Sequence, residues 1–139
     1  MEPAEALADL LEISSHVVAA VLCDANGAVA ASTHADDTAG AALARTAVDL
    51  LAAAATLRSS GPIVTRVEAA LVAGSVVVVR DGERVIAATT VADPPSALVL
   101  YDLRTALARS AEEPKPSKPR RRAPRKKPAE QTEDADVPS

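Results

Sequence analysis

Phe and Trp are absent from these 139 residues, and Tyr101 is the single tyrosine. A core without large rings has to be filled by Ala, Val, Leu and Ile, so helices and sheet must approach closely. No aromatic residue interleaves with the basic ones, which argues against base stacking on single-stranded nucleic acid. The single cysteine, Cys23, excludes an internal disulfide and fits a reducing compartment. The five glycines stand apart, at Gly27, Gly40, Gly61, Gly74 and Gly82. With no GxxxxGK[ST] among them, the chain does not cradle a nucleotide in a P-loop. No apolar run approaches the ~18 residues of a membrane span, and the first residues carry Glu2, Glu5 and Asp9 rather than a basic flank. A soluble, cytoplasmic protein is expected.

Lysine is missing from the first 113 residues, where seven arginines face fifteen acids for a net charge of −8. The segment Pro114–Pro128, PKPSKPRRRAPRKKP, holds eight basic residues and no acid, and the last eleven residues hold four acids. This asymmetry divides the chain into a folded domain over 1–112 and a tail over 113–139, basic and proline-rich to about 128 and then acidic. Five prolines and no large apolar residue leave the basic segment without a core, so it is expected to be disordered. Lys115, Lys118, Arg120, Arg121, Arg122, Arg125, Lys126 and Lys127 would attract phosphates of nucleic acid, an anionic membrane surface or an acidic protein. A solubilising tail that folds back on the −8 domain is the plain alternative.

What the chain does contain is a stretch of close alternation, Ser75 to Thr90, SVVVVRDGERVIAATT. Val76 and Val78 point to one face of a strand, Val77 and Val79 to the other. Both faces are apolar, so both are covered, and the stretch reads as a hairpin in the middle of a sandwiched sheet. Asp81-Gly82 reads as its two-residue type I′ turn, setting Arg80 opposite Glu83.

The remaining elements follow from periodicity and punctuation. A first amphipathic helix spans Ala4 to Ser15, with Leu7, Leu10, Leu11 and Ser14 on one side. Val17 to Cys23 is a strand that turns at Asp24-Ala25-Asn26-Gly27 into a peripheral return strand, Ala28 to Thr33. A second helix starts near Thr38, with Asp36 and Asp37 at its N-terminal end, and stops about Leu57 before Ser59-Ser60-Gly61-Pro62. Leu43, Ala47, Leu50, Leu51, Ala54 and Leu57 make its core stripe. Ala41, Ala42, Ala44, Ala52, Ala53 and Ala55 leave the rest nearly without polar residues, chiefly Arg45 and Asp49. That remainder is either an exposed face of high helix propensity or a second packing surface for another copy of the helix. A third strand, Ile63 to Val72, sets Thr65, Val67, Ala69 and Leu71 against Arg66, Glu68, Ala70 and Val72, as an edge strand does. The last helix is expected to be capped by Asp93 with Pro94 at its first position, with a stripe of Leu100, Leu103 and Leu107 widened by Val99 and Tyr101 and fraying beyond Arg109. The order αββαβββα, with strands two and three poorest in large apolar residues, predicts an α/β (α+β) fold. Its antiparallel sheet runs 2-1-5-4-3, with helices on both faces.

These stretches, ALADLLEIS, VVAAVLCDANGAVAAS, VEAALVAGSVVVVRDGERVIAATT and the helix beginning DPPSALVLYDLR, resemble the Roadblock/LC7 proteins, in particular short single-domain bacterial members. The resemblance covers about Ala4 to Arg109 and lies in the order and pattern of elements. It implies a profilin-like architecture and a homodimer, or a heterodimer with a Roadblock-like paralogue. In such dimers the third strands join into one sheet and the second helices pack together. It also implies a non-catalytic platform, such as the dynein light chains, the scaffolds that anchor small GTPases, and the bacterial regulators of Ras-like GTPases. On this chain the dimer would use Ala41, Ala42, Arg45, Asp49, Ala52, Ala53, Arg66, Glu68 and Ala70. The basic tail lies outside the family's common pattern.

Chemistry finds little to work with. His16, His34 and Cys23 lack the fixed short spacing of metal ligands. Ser14 or Ser15 beside His16 at a helix end does not make a nucleophile and base that face each other. Cys23 reads as a small core residue. No catalytic residue, cofactor, metal or small-molecule substrate is expected.

Overall fold

The computed structural model describes residues 1–57 and 65–111. Arg58, the expected helix stop at Ser59–Pro62, the first two residues of the expected third strand (Ile63 and Val64) and the whole basic segment lie outside the described residues. The elements in order are α1 (Pro3–Ile13), β1 (Val17–Asp24), β2 (Val29–Ser32), α2 (Asp37–Ala55), β3 (Arg66–Ala70), β4 (Ser75–Asp81), β5 (Arg84–Thr90) and α3 (Ser96–Ala111). The five strands form one antiparallel sheet in the order β2-β1-β5-β4-β3, as the sequence predicts.

The valine strand sits inside this sheet and has apolar cover on both sides. Val77 and Val79 join Leu7, Leu10, Leu22, Ile86, Val99, Leu103 and Leu107 in a core beneath α1 and α3. Val78 joins Val21, Cys23, Leu43, Ala47, Leu51 and Val85 in a second core beneath α2. With no ring larger than Tyr101, the sheet-to-helix layers rest on aliphatic contacts. Each fully buried Val or Leu contributes about 1.5–3 kcal/mol of transfer free energy.

Local chemistry fixes the turns. Asp24 Oδ1 accepts from the amides of Asn26 (2.8 Å) and Ala28 (3.0 Å), and Gly27 supplies the positive φ of 88° that closes the β1–β2 hairpin. Asp36 caps α2 by accepting from the Thr38 amide at 2.9 Å. Glycine inside α2 has a packing reason, since a Cβ on Gly40 would lie 2.6 Å from Ser32 Oγ of β2.

Several expectations are corrected. The β4–β5 loop is Gly82-Glu83 rather than Asp81-Gly82, because Asp81 pairs with Arg84 and Arg80 with Val85. Positive φ falls on Gly82 (64°) and not on Glu83, the pattern of a type II′ turn with glycine first, so Arg80 does not face Glu83. Arg80 Nε instead donates to the Gly82 carbonyl at 2.8 Å. α3 begins at Ser96 and not at Pro94, and Asp93 takes φ 50° rather than a cap conformation. The cause is Pro95, since a residue preceding proline is driven out of the helical region, so Pro94 cannot open the helix. The helix then runs to Ala111, past Arg109. Tyr101 is 68% exposed rather than part of the buried stripe, whose polar member is Asp102.

In α2, Ala44 is fully buried rather than outward, and Leu57 lies in the turn past the helix end and is exposed. β3 ends at Ala70, so Leu71 and Val72 stand exposed in a turn closed by the Leu71 amide on the Gly74 carbonyl at 2.8 Å. By length and composition α2 could cross a membrane, which the sequence reading did not anticipate, yet only 28% of its most apolar window is buried. Its inner side covers the sheet and its outer side is alanine.

Candidate interaction surface

β3 pairs on one side only, with β4, through Arg66↔Val79, Val67↔Val78, Glu68↔Val77, Ala69↔Val76 and Ala70↔Ser75. Its outer row of backbone groups has no strand partner among the described residues, and such an edge is a template for pairing with another strand. The strand is short and carries Arg66 and Glu68, devices that limit indiscriminate pairing.

α2 packs against β3 on one side of the sheet, and its outer face is exposed. Ala41, Ala42, Arg45, Asp49, Ala52 and Ala53 are all exposed there, as both a plain solvent face and a second packing surface require. Arg45 and Asp49 pair with each other at 3.1 Å across one helical turn. In so exposed a position the pair stabilises the helix by no more than about 0.3–0.5 kcal/mol. It does leave the face without a net charge, and methyl groups on the adjacent turns allow another helix to come close.

The nine candidate residues do not form one continuous patch of side chains. Glu68 and Arg66 share a face with Val77 and Val79, the side of the sheet covered by α3, and Glu68 Oε2 accepts from Ser96 Oγ at 2.8 Å. Val67 and Ala69 are the half-buried β3 residues that share the α2 side. The structure therefore places Ala41, Ala42, Arg45, Asp49, Ala52 and Ala53 on one side of the sheet and Arg66, Glu68 and Ala70 on the other. The β3 backbone edge lies between them. The eight basic residues of the tail lie outside the described residues.

The reactive candidates are scattered. Cys23 is buried, and its thiol is pushed up to about 11, first by burial and then by the neighbouring Asp24 charge, which leaves it a poor nucleophile. Ser14 Oγ accepts from the amides of His16 and Val17, both at 3.3 Å, and so serves the α1–β1 turn. Ser32 Oγ lies 3.2 Å from His34 Nδ1 and also accepts from the His34 amide, a turn contact that the sequence did not disclose. No group of three His, Cys, Asp or Glu side chains that could hold a metal occurs among the described residues.

Two further features escaped sequence reasoning. Arg84 reaches under α3 to the Leu107 carbonyl (3.0 Å) and to Ser110 Oγ. Asp102 is buried on the α1 side of α3. The available signal was its spacing, three residues after Val99 and four before Ala106, which puts a carboxyl group inside a buried stripe.

This architecture is that of the Roadblock/LC7 fold. Superposition with a Roadblock/LC7 domain from Streptomyces avermitilis gives a TM-score of 0.70 at 18% identity, covering 78% of this chain and 94% of that one. Myxococcus xanthus MglB aligns at 0.64 and 16% identity over 76% of this chain and 82% of its own. An MglB solved with a tetrameric arrangement aligns at 0.61 and 19% over 78% and 85%. No protein-family profile matches the sequence. No curated protein matches it either.

Proposed function

We propose that this protein is a non-catalytic, self-associating scaffold that regulates a small Ras-like GTPase in a bacterial cytoplasm. The observation that carries the reading is the β3 edge, unpaired among the described residues, together with the exposed alanine face of α2, the helix that packs on β3. The two elements together offer one chain's worth of a larger sheet and a helix pair. The likeness of the fold to MglB, including an MglB with a tetrameric arrangement, supports self-association as the working state. The partner copy is a second identical chain or a Roadblock-like paralogue. The high thiol pKa of Cys23 supports a binding role over a thiol-based reaction. A GTPase bound to such a platform would supply the nucleotide site, since this sequence carries no P-loop motif. Pull-down and GTP-hydrolysis assays with small Ras-like GTPases test the reading. Binding or a changed hydrolysis rate is expected, and the absence of both across the candidates contradicts it.

A second reading rests on the tail. Eight positive charges within fifteen residues, brought together in pairs by a dimer, would bind nucleic acid, an anionic membrane or an acidic protein with avidity. DNA binding that weakens steeply with salt and disappears when residues 114–128 are removed supports it. No binding at low salt overturns it.

A further inference from the structure

Asp9 Oδ2 receives a hydrogen bond from Arg109 Nη1 at 3.3 Å, and Ile13 and Tyr101 line a groove of about 200 Å³ between α1 and α3. Pro3 and Ser110 share another hollow, so the two helices run antiparallel and the end of α3 lies beside the first turn of α1.

Asp102 lines this groove at 9% exposure, and among the described residues no hydrogen bond or ion pair reaches its carboxyl group. Burying a carboxyl group without a donor is unfavourable. The groove's own cation, Arg109, is already engaged by Asp9. Among the described residues, the Asp102 carboxyl group is left to accept from a cationic donor. Its surroundings favour the same visitor. Glu5, Asp9 and Glu12 recur at helical spacing along α1, and the rim carries the exposed apolar side chains of Ile13 (62%) and Tyr101 (68%).

We propose that this groove is the docking site for the chain's own basic segment, Pro114–Pro128, with a Lys or Arg side chain of that segment reaching Asp102. Charge complementarity is direct, +8 in the segment against −8 in the preceding 113 residues. Reach is sufficient. Asp102 lies nine residues back from the end of α3, about 14 Å along the helix. The seven residues that follow Ala111, up to Lys118, span up to about 25 Å when extended, enough to turn and return. Prolines at 114, 116 and 119 favour an extended conformation that loses little entropy on binding, and aromatic-rimmed grooves take such segments. A docked segment is withheld from other anions, so a polyanion competes with Asp102 for the same charges.

The test uses the full chain with Ser117→Cys carrying a nitroxide label. Buried Cys23, with its thiol pushed up to about 11, is not labelled under mild conditions. The amide signals of Ile13, Tyr101 and Thr105 should lose at least about half their intensity at low ionic strength, while those of Ala42 and Ala52 keep theirs. Salt at about 0.5 M should restore them, since the Debye length then falls to a few Å. Asp102→Asn, which keeps the side-chain shape, should restore them too. If that variant does not fold, Lys115→Gln with Lys118→Gln and Arg120→Gln makes the same comparison from the tail side. Uniform intensities overturn the proposal, as does a loss centred on the α2 face or a loss unchanged by these substitutions. A mixture of unlabelled isotope-enriched chain with spin-labelled chain should show no loss. Loss in the mixture means that a neighbouring copy's tail fills the groove, and it overturns docking in cis.

Discussion

Arg84 Nη1 donates to the Leu107 carbonyl at 3.0 Å, tying the start of β5 to the last turns of α3. That carbonyl also accepts from Ser110 Oγ at 2.8 Å, and it lies toward the negative end of the helix dipole, where a guanidinium is favoured. Arg84→Ala should therefore destabilise the fold by about 1–2 kcal/mol, a charge-assisted hydrogen bond in a half-buried place. Urea unfolding with an unchanged m-value checks this, and Arg84→Lys should recover only part of the loss.

Gly74 closes the approach between the β3–β4 turn and the end of β5. A Cβ at this position would stand 2.1 Å from the Thr90 carbonyl oxygen, a backbone atom that cannot rotate away. Gly74→Ala should cost about 2–4 kcal/mol, in the range of overpacking with backbone displacement. Thermal unfolding measures it. The exposed Gly82→Ala, strained by φ but free of contacts, should cost less, about 1 kcal/mol.

These positions show how the sequence and the structure divide the information. Val76 to Val79 disclose the middle of the sheet because period two with both faces apolar admits one environment. The strand order follows from hairpin pairing and from how little large apolar surface β2 and β3 carry. The hairpin register was misplaced by one residue, since Asp-Gly suits a type I′ turn and Gly-Glu a type II′ turn, and Asp81-Gly82-Glu83 contains both. The start of α3 was misplaced because Asp-Pro resembles a cap and first turn until the effect of Pro95 on Pro94 is considered. At the candidate surface the exposed alanines of α2 were legible from composition. The division of Arg66, Glu68 and Ala70 from α2 was not, because it depends on which face of β3 the helix covers.

Cys23 provides a pH-dependent reading of the core. Its thiol has an ordinary value of 9.0 and is raised to about 11 in the fold, by burial first and the Asp24 charge second. The native state holds this proton more tightly than the unfolded state. Its contribution to stability is thus complete below about pH 9 and is lost as pH rises toward 11. At pH 8 the native thiol should react with iodoacetamide at least about 100-fold more slowly than in urea, the thiolate fraction alone giving that ratio. Equal rates in both states contradict the buried placement.

The β1–β2 hairpin should weaken in acid. The carboxyl group of Asp24 is lowered below its ordinary 3.8 by amide hydrogen bonds, first from Ala28 and then from Asn26. A lowered carboxyl contributes stability above the unfolded value and loses it as pH falls through the folded one. Asp24→Ala should lower stability at neutral pH and flatten its decline below about pH 4, near the unfolded carboxyl value. Denaturant midpoints between neutral and acid pH check both effects. A variant with the parent's midpoint at neutral pH contradicts the role of the side chain in the turn.

The central claim is that the β3 edge and the alanine face of α2 exist to be covered by another copy. Sedimentation of the purified chain at micromolar concentration tests it most directly, with Ala52→Asp as the comparison. The account predicts a particle of twice the 14.2 kDa chain mass, or a higher even multiple. It also predicts that a charge placed on the alanine face weakens association by at least about 10-fold, the cost of an unpaired carboxylate in a packed helix pair. A monomer at that concentration, or an assembly indifferent to Ala52→Asp, contradicts the account.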